Sequence, residues 1–248
     1  MRHNNLESKI TTAKRPTSAP PHYTLIIPAL NEAASLGTLL SLIPWTRFRE
    51  VIVVDNGSVD STARVAEAGR ARVVLEPKRG YGQACLAGIA ALDPLTNAVA
   101  FMDADLSDDP SDFMRLLDEF ESRRLDMVIG SRVLGRPEPG ALTALQRFGN
   151  WLATRLILWI WKVPYTDLGP LRVVSRDALR RMALSDRNFG WTVEMQAKAA
   201  RLGMQVAEIP VSYRRRRMGE SKVSGTLKGS FQAGMKILVT IGKCWLGG

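Results

Sequence analysis

One pair of carboxylates in this chain has the type and spacing to work on a metal-bound diphosphate. Asp103 and Asp105 follow the apolar run Ala98–Met102, and two carboxylates one residue apart can both face a crevice where a strand ends and the chain turns. Mg²⁺ and Mn²⁺ take hard oxygen ligands and share them with phosphates, so the pair suits either ion. Nine of the 24 acidic residues fall between Asp103 and Asp126, in a chain of net charge +10. A helix cap ahead of Pro110 explains Asp108 or Asp109 but leaves the earlier pair unexplained. Asp55 ends a second apolar run, Val51–Val54. A carboxylate there loses hydration and must gain donors, which a base or ribose offers. Around it, Asn56-Gly57 reads as a turn and Asp60 or Ser61 as a helix cap.

Cations complement these acids. Arg172 follows Asp167-Leu-Gly-Pro-Leu, and Arg214–Arg217 precede Gly219-Glu-Ser-Lys222, giving five positive charges in nine residues. Arginine's fork matches phosphate oxygens, while the run equally suits a solvated face or an anionic membrane. Two histidines, His3 and His22, and two cysteines, Cys85 and Cys244, leave little room for histidine catalysis, a disulfide scaffold or a thiolate metal site.

Positioning such groups takes alternating strands and helices. Apolar runs at Tyr23–Pro28, Val51–Val54, Arg72–Leu75, Ala98–Met102 and Met127–Ile129 predict buried strands. Between them, amphipathic stretches at Glu32–Ile43, Ser61–Ala68, Gly82–Leu92 and Pro110–Phe120 predict helices. The alternation implies an α/β fold with a mostly parallel sheet, helices on both faces, and working groups at the carboxyl ends of the strands. Beyond Ile129 the rhythm becomes less regular: a loop containing Arg136–Gly140, a helix over Thr143–Trp161, a strand over Leu171–Val174, helices over Asp177–Ala183 and Thr192–Arg201, and a strand over Val206–Val211. No strand is followed by G-x-G-x-x-G, and no P-loop is present, so any nucleotide is held in another way.

The 248 residues, 46 % hydrophobic, suit one packed α/β domain. Residues 1–21 read as a disordered polar tail without the apolar stretch of a signal peptide, which points to a cytoplasmic setting. The nearest approach to a membrane span, Leu156–Val163, is eight residues long and contains Lys162.

In order along the chain stand Ile27-Pro28-Ala-Leu-Asn31-Glu32, Val54-Asp55-Asn56-Gly57-Ser58 with Asp60-Ser61-Thr62, Arg79-Gly80-Tyr81-Gly82, Asp103-Ala104-Asp105-Leu106, Gly130-Ser131-Arg132, Asp167–Arg172 and Gly219-Glu220-Ser221-Lys222. With these motifs the chain resembles a family-2 glycosyltransferase of GT-A fold, in the branch of dolichol-phosphate mannose synthases and polyprenyl-phosphate sugar transferases. The resemblance implies a GT-A domain over 22–222 and a C-terminal amphipathic segment over 223–248. It implies that Pro28, Asn31, Glu32, Asp55, Asn56 and Arg79 bind the donor, that Asp103 and Asp105 hold Mg²⁺ or Mn²⁺ on its diphosphate, and that Arg132 lies near phosphate groups. Two positions depart from the family pattern. Asn56 stands where Asp-Asp-Gly-Ser is common, and Ser107 stands where mannose synthases usually carry Gln.

By the same resemblance the reaction is an inverting displacement moving a hexose, mannose or glucose, from a GDP- or UDP-sugar to a polyprenyl phosphate. A hydroxyl acceptor would need a base, and Asp167 falls near the family's base position. An anionic phosphate acceptor needs cations instead, for which Arg172, Arg214 and Lys222 are the candidates, with Glu194 as a buried partner of the basic loop or a plain helix residue. The stretch Asn150–Tyr165, with Trp151, Trp159 and Trp161, reads as a core helix or, with Arg155 and Lys162, as an interfacial one, and the lysines of Val223–Trp245 among apolar residues suit an interfacial helix. Peripheral contact with the cytoplasmic membrane face is therefore expected, a homo-oligomer is compatible with the sequence, and no nucleic-acid motif is recognisable.

Overall fold

The computed structural model describes residues 22–216 and 227–247, without the side chains of 227–234. The proposed N-terminal tail, Arg217 and the Gly219–Lys222 motif lie outside the described residues.

Seven strands form one sheet in the order β3-β2-β1-β4-β6-β5-β7. The first four are β1 (Tyr23–Ala29), β2 (Glu50–Asp55), β3 (Arg72–Leu75) and β4 (Ala98–Phe101), and all of them run parallel. β6 (Arg172–Ser175) lies antiparallel between β4 and β5 (Met127–Pro137), and β7 (Val206–Tyr213) closes the far edge parallel to β5. β1 is buried along its whole length, as a central parallel strand covered on both faces must be. Its side chains alternate: Leu25 and Ile27 enter the core on one face, Ile26 the core on the other.

Helices α1 (Ala33–Leu42), α2 (Thr62–Ala68) and α4 (Asp112–Arg123) cover the first face through Leu36, Leu39, Ala66, Phe113, Leu116 and Leu117. The second face takes α3 (Tyr81–Ala90), α5 (Ala144–Trp161), α6 (Arg176–Met182), α7 (Trp191–Arg201) and α8 (Leu227–Trp245), through Ala84, Cys85, Ile157, Met182, Trp191 and Ile241. α5 begins with a reciprocal cap: Thr143 Oγ1 accepts from the Gln146 N–H, and Gln146 Oε1 accepts from the Thr143 N–H. No helix among the described residues is long and apolar enough to cross a membrane.

One sequence expectation is corrected here. The chain does not leave the sheet after Ile129; β5 runs on to Pro137, pairing Arg136 with Ser212 and Pro137 with Tyr213 beyond a bulge that starts at Ser131. Polar and glycine residues hid the strand, yet Gly135 is what permits it. A Cβ there would stand 1.9 Å from the carbonyl oxygen of Val211.

Candidate active site

The carboxyl ends of β1, β2 and β4 open on a crevice of about 400 Å³. Its walls are formed by Pro28 near the end of β1 and Glu32 after it, Asn56 after β2, Arg79 and Tyr81 ahead of and in α3, Asp103 and Asp105 after β4, Gln146 of α5, Phe189, and Tyr213 with Arg216. The structure thus brings together six of the residues expected to bind donor or metal.

Asp103 opens on the crevice and is otherwise enclosed by protein. Tyr81 Oη donates to its Oδ1 at 2.9 Å, and burial, followed by the charge of Asp105, raises its pKa to about 6. Asp105 accepts from the Ser107 N–H at 2.9 Å, and its Oδ2 lies 3.8 Å from Arg216 Nε. Arg216 also pairs with Glu32. Behind this pair lies Asp108, 2 % exposed, with neither carboxylate oxygen hydrogen-bonded among the described residues. Burial raises its pKa well above the usual carboxylate range, and the charge of Asp103 adds to the effect.

A divalent cation fits this donor set. Two carboxylates face the crevice, burial and the charge of Asp105 penalise the charged form of Asp103, and a third, buried carboxylate has no donor among the described residues. Among the described residues no cluster of three ligating side chains surrounds one point. An ion held by Asp103 and Asp105 would therefore draw its remaining oxygens from a bound diphosphate and water, as Mg²⁺ sites on nucleotides do.

Asn56 builds the wall facing the pair. Its Nδ2 donates to the carbonyls of Glu76 and Lys78 at 3.0 and 2.7 Å, and its Oδ1 accepts from the Gly80 N–H at 2.7 Å. An aspartate could not make the first two bonds, so the departure from Asp-Asp-Gly-Ser fixes the 76–80 loop that carries Arg79 and leads into Tyr81 at the start of α3. Gly80, at φ 147°, and Gly82 let the start of α3 press on the turn after α6; a Cβ on either would stand 2.2 or 2.1 Å from the carbonyl oxygens of Arg187 and Asp186.

Other sequence candidates sit elsewhere. Asn31 and Asp55 are not among the lining residues: Asn31 Oδ1 accepts from the Val59 N–H, and Asp55 Oδ1 accepts from the Ser58 N–H, so both brace the neighbouring turn. Arg172 is fully buried, with its guanidinium on the carbonyl of Gly169 and against Thr192, Met195 and Gln196; it does not reach the crevice. Burial lowers its pKa despite the nearby Tyr81 and Asp167. Among the described residues Glu194 does not meet Arg214, Arg215 or Arg216. It pairs with Lys198 at 2.8 Å and accepts from the N–H groups of Ser185 and Asp186. Burial alone would raise its pKa, and these bonds lower it instead. Arg214 is ion-paired with Asp109 at 2.6 Å, and Lys222 lies outside the described residues.

Asp167, the sequence candidate for a base, is wholly buried and already committed. Its carboxylate takes Arg132 Nε at 2.7 Å, Arg132 Nη2 at 2.8 Å and the Arg132 N–H at 2.8 Å. Burial works against the Arg132 charge, and Asp167 outweighs it, so the arginine's pKa is raised. The Arg132 guanidinium also stands over the Tyr213 ring, 5.0 Å from its centroid. Glu208 orients this pair by accepting from the N–H groups of Thr166 and Asp167. Sequence reasoning missed Glu208 and gave no individual role to Tyr81 or Arg216; of the two helix-cap candidates ahead of Pro110, Asp109 accepts from the Ser111 N–H and Asp108 caps nothing among the described residues. Tyr81 and Arg216 stood inside noted motifs; Glu208 and Tyr213 had no signal beyond lying in and at the end of a strand.

A family model described as "Glycosyl transferase family 2" matches residues 24–182. An uncharacterized glycosyltransferase of Mycobacterium tuberculosis is 40 % identical over 211 residues, 85 % of this chain and 93 % of that protein. The undecaprenyl-phosphate mannosyltransferase of Micrococcus luteus is 33 % identical over 228 residues, covering 82 % of this chain and 88 % of that protein. Among solved structures, glucosyl-3-phosphoglycerate synthase from Mycobacterium tuberculosis in complex with Mn²⁺ and uridine-diphosphate-glucose matches with a TM-score of 0.70 at 23 % identity, over 90 % of this chain and 79 % of that one. The last likeness concerns the fold.

Proposed function

The chain belongs to glycosyl transferase family 2, and from that membership we propose that it moves a hexose, mannose or glucose, from a GDP- or UDP-sugar to a polyprenyl phosphate. The observation that carries this reading is the meeting of Asp103 and Asp105 with Glu32, Asn56, Tyr81 and Arg216 around one crevice at the strand ends. A glycosyltransferase must hold a nucleoside diphosphate there and present the anomeric carbon to an acceptor.

In the proposed reaction an acceptor oxygen attacks the anomeric carbon in line with the departing diphosphate, the new C–O bond forms as the old one breaks, and configuration inverts. Asp103 and Asp105 would hold Mg²⁺ or Mn²⁺, which when bound offsets charge on the leaving diphosphate. Tyr81 keeps one oxygen of Asp103 occupied and so fixes the direction of the other. Arg216 is a cation already inside the crevice, within reach of an anionic ligand once its bonds to Glu32 and Asp105 are exchanged.

The state of Asp167 favours a phosphate acceptor over a hydroxyl one. Three N–H donors of Arg132 occupy the carboxylate that would have served as base, whereas a phosphate monoester is already anionic at neutral pH and needs no deprotonation. The Micrococcus luteus relative is named for such an acceptor.

The test is direct. Purified protein is incubated with GDP-mannose, UDP-glucose or other GDP- and UDP-hexoses, with Mn²⁺ or EDTA, and with undecaprenyl phosphate. Release of nucleoside diphosphate together with a hexosyl lipid is expected only when cation and lipid phosphate are both present. Sugar transfer to hydroxyl compounds alone would overturn the acceptor, and failure to consume any donor would overturn the whole reading.

A further inference from the structure

We propose that Lys236, on the outer helix α8, is a positioning residue for the donor wall of the crevice and acts through Asp186. Two residues of that wall, Asn188 and Phe189, come from the turn over residues 185–190, between α6 and α7. No helix or strand fixes this turn, and its shape depends on one carboxylate. Asp186 Oδ1 accepts from the N–H groups of Asn188 at 2.8 Å and Gly190 at 3.2 Å, folding the turn back on itself. Its Oδ2 serves the outer layer instead, pairing with Lys236 Nζ at 2.9 Å and accepting from Thr240 Oγ1 at 3.5 Å. Lys236 and Thr240 are four residues apart and so stand on one face of α8.

Burial gives this ion pair its weight. An exposed pair contributes little, but the Asp186 side chain is only 8 % exposed. Without the ammonium the carboxylate must reach for water, and the two N–H groups on its other oxygen move with it.

The turn has no slack to absorb such a movement. At one end, a Cβ on Gly190 would stand 2.4 Å from Asp186 Oδ2 and 2.5 Å from Thr240 Oγ1. At the other, where Gly80 and Gly82 press on the carbonyls of Arg187 and Asp186, the Gln83 N–H donates to the Arg187 carbonyl at 2.9 Å and Arg187 Nη1 donates to Gln83 Oε1 at 2.7 Å. These bonds join the turn to the start of α3, where Tyr81 meets Asp103. Lys236 does not line the crevice, yet it sets two parts of the wall: the Asn188 and Phe189 edge through Asp186, and the Tyr81 side through α3. That the wall meets a sugar nucleotide rests on the function proposed above; that Lys236 holds the turn does not.

Amide hydrogen exchange on the full chain, without ligand, reads the hold. Lys236→Met should speed exchange about tenfold in peptides covering 185–190, with a smaller rise at 80–84 and none in β1, and Lys236→Arg, which keeps the charge, should restore the parent rate. Parent-like protection of 185–190 in Lys236→Met would overturn the proposal. Kinetics read the positioning, with GDP-mannose and UDP-glucose in turn, Mn²⁺ and undecaprenyl phosphate. Lys236→Met should raise the KM for the donor that the parent consumes about fivefold and change kcat less than about twofold, and Lys236→Arg should reverse the rise. Asp186→Asn keeps an oxygen for the two N–H groups and loses the ion pair, so it should raise KM equally, and the double variant should do no more than either change alone. Additive rises, a fall in kcat at constant KM, or a lowered melting temperature with KM unchanged would each overturn the positioning role. A parent that consumes neither donor overturns the transfer reading and the donor role of Lys236 with it, whereas an active parent with an unaffected Lys236→Met variant overturns the positioning role alone.

Discussion

Two sets of buried or half-buried carboxylates divide this molecule. At the ends of the parallel strands, Asp103 takes one donor from Tyr81, Asp105 takes one backbone donor with Arg216 3.8 Å away, and Asp108 has none among the described residues. In the antiparallel region beyond β5, Asp167, Glu194 and Glu208 are held by arginine, lysine and backbone N–H groups. Burying a carboxylate is costly in either place. The second set recovers that cost inside the fold, whereas the first keeps part of its demand for positive charge open toward a crevice. A deficit of donors marks a group kept for a ligand, and a full complement marks a group kept for structure.

Substitutions should separate the two sets. Asp167→Ala leaves the guanidinium of Arg132 buried without its partner, and a loss of roughly 3–5 kcal/mol in unfolding free energy is expected in a denaturant titration. Asp105→Ala should do the reverse: transfer falls by about a hundredfold or more, while the melting temperature stays within a few degrees of the parent. Were Asp105→Ala to unfold the protein, the division drawn above would fail. Tyr81→Phe removes one donor from Asp103 and should weaken Mn²⁺ binding about tenfold, as read by titration calorimetry with the nucleoside diphosphate present. A variant that binds the cation as tightly as the parent would show that the phenol is packing alone.

The smallest expected effect is the most telling. Asp108 has a pKa raised by burial, so the folded state holds its proton more tightly than the unfolded chain does. Stability should then fall as pH rises from the ordinary carboxylate range toward that raised value. Asp108→Asn should flatten this slope and raise stability near neutrality by about 1 kcal/mol, since no partner is lost. A steeper slope in the variant would mean that the carboxylate is satisfied in solution.

The parallel half of the fold was legible in the sequence because β1, β2 and β4 are largely apolar with polar groups at their carboxyl ends. The strand over Tyr23–Pro28 and the pair at Asp103 and Asp105 were read from that contrast alone. β3, expected as a buried strand, lies instead at the sheet edge with Arg72 and Leu75 exposed. The antiparallel region followed other rules. β5 continues through Ser131, Arg132, Gly135 and Arg136, residues that look like loop until Pro210 pairs with Ser131 and Ser212 with Arg136. Charge gave no warning of which ions were taken: Arg172, read as a phosphate ligand, is enclosed by Gly169, Met195 and Gln196, and Asp167 by Arg132. Residue type tells what a side chain can bind, and only the packed chain tells whether the bond has already been made.

The press of Gly80 and Gly82 against the carbonyls of Arg187 and Asp186 limits how this enzyme can be diversified. Asp186 is tied in turn to Lys236 of the outer helix α8 at 2.9 Å, so a side chain at either glycine would wedge apart the cleft and the outer layer at once. Libraries seeking a new sugar-nucleotide preference are best directed at Arg79, Asn188 and Phe189, which border the cleft without bracing it.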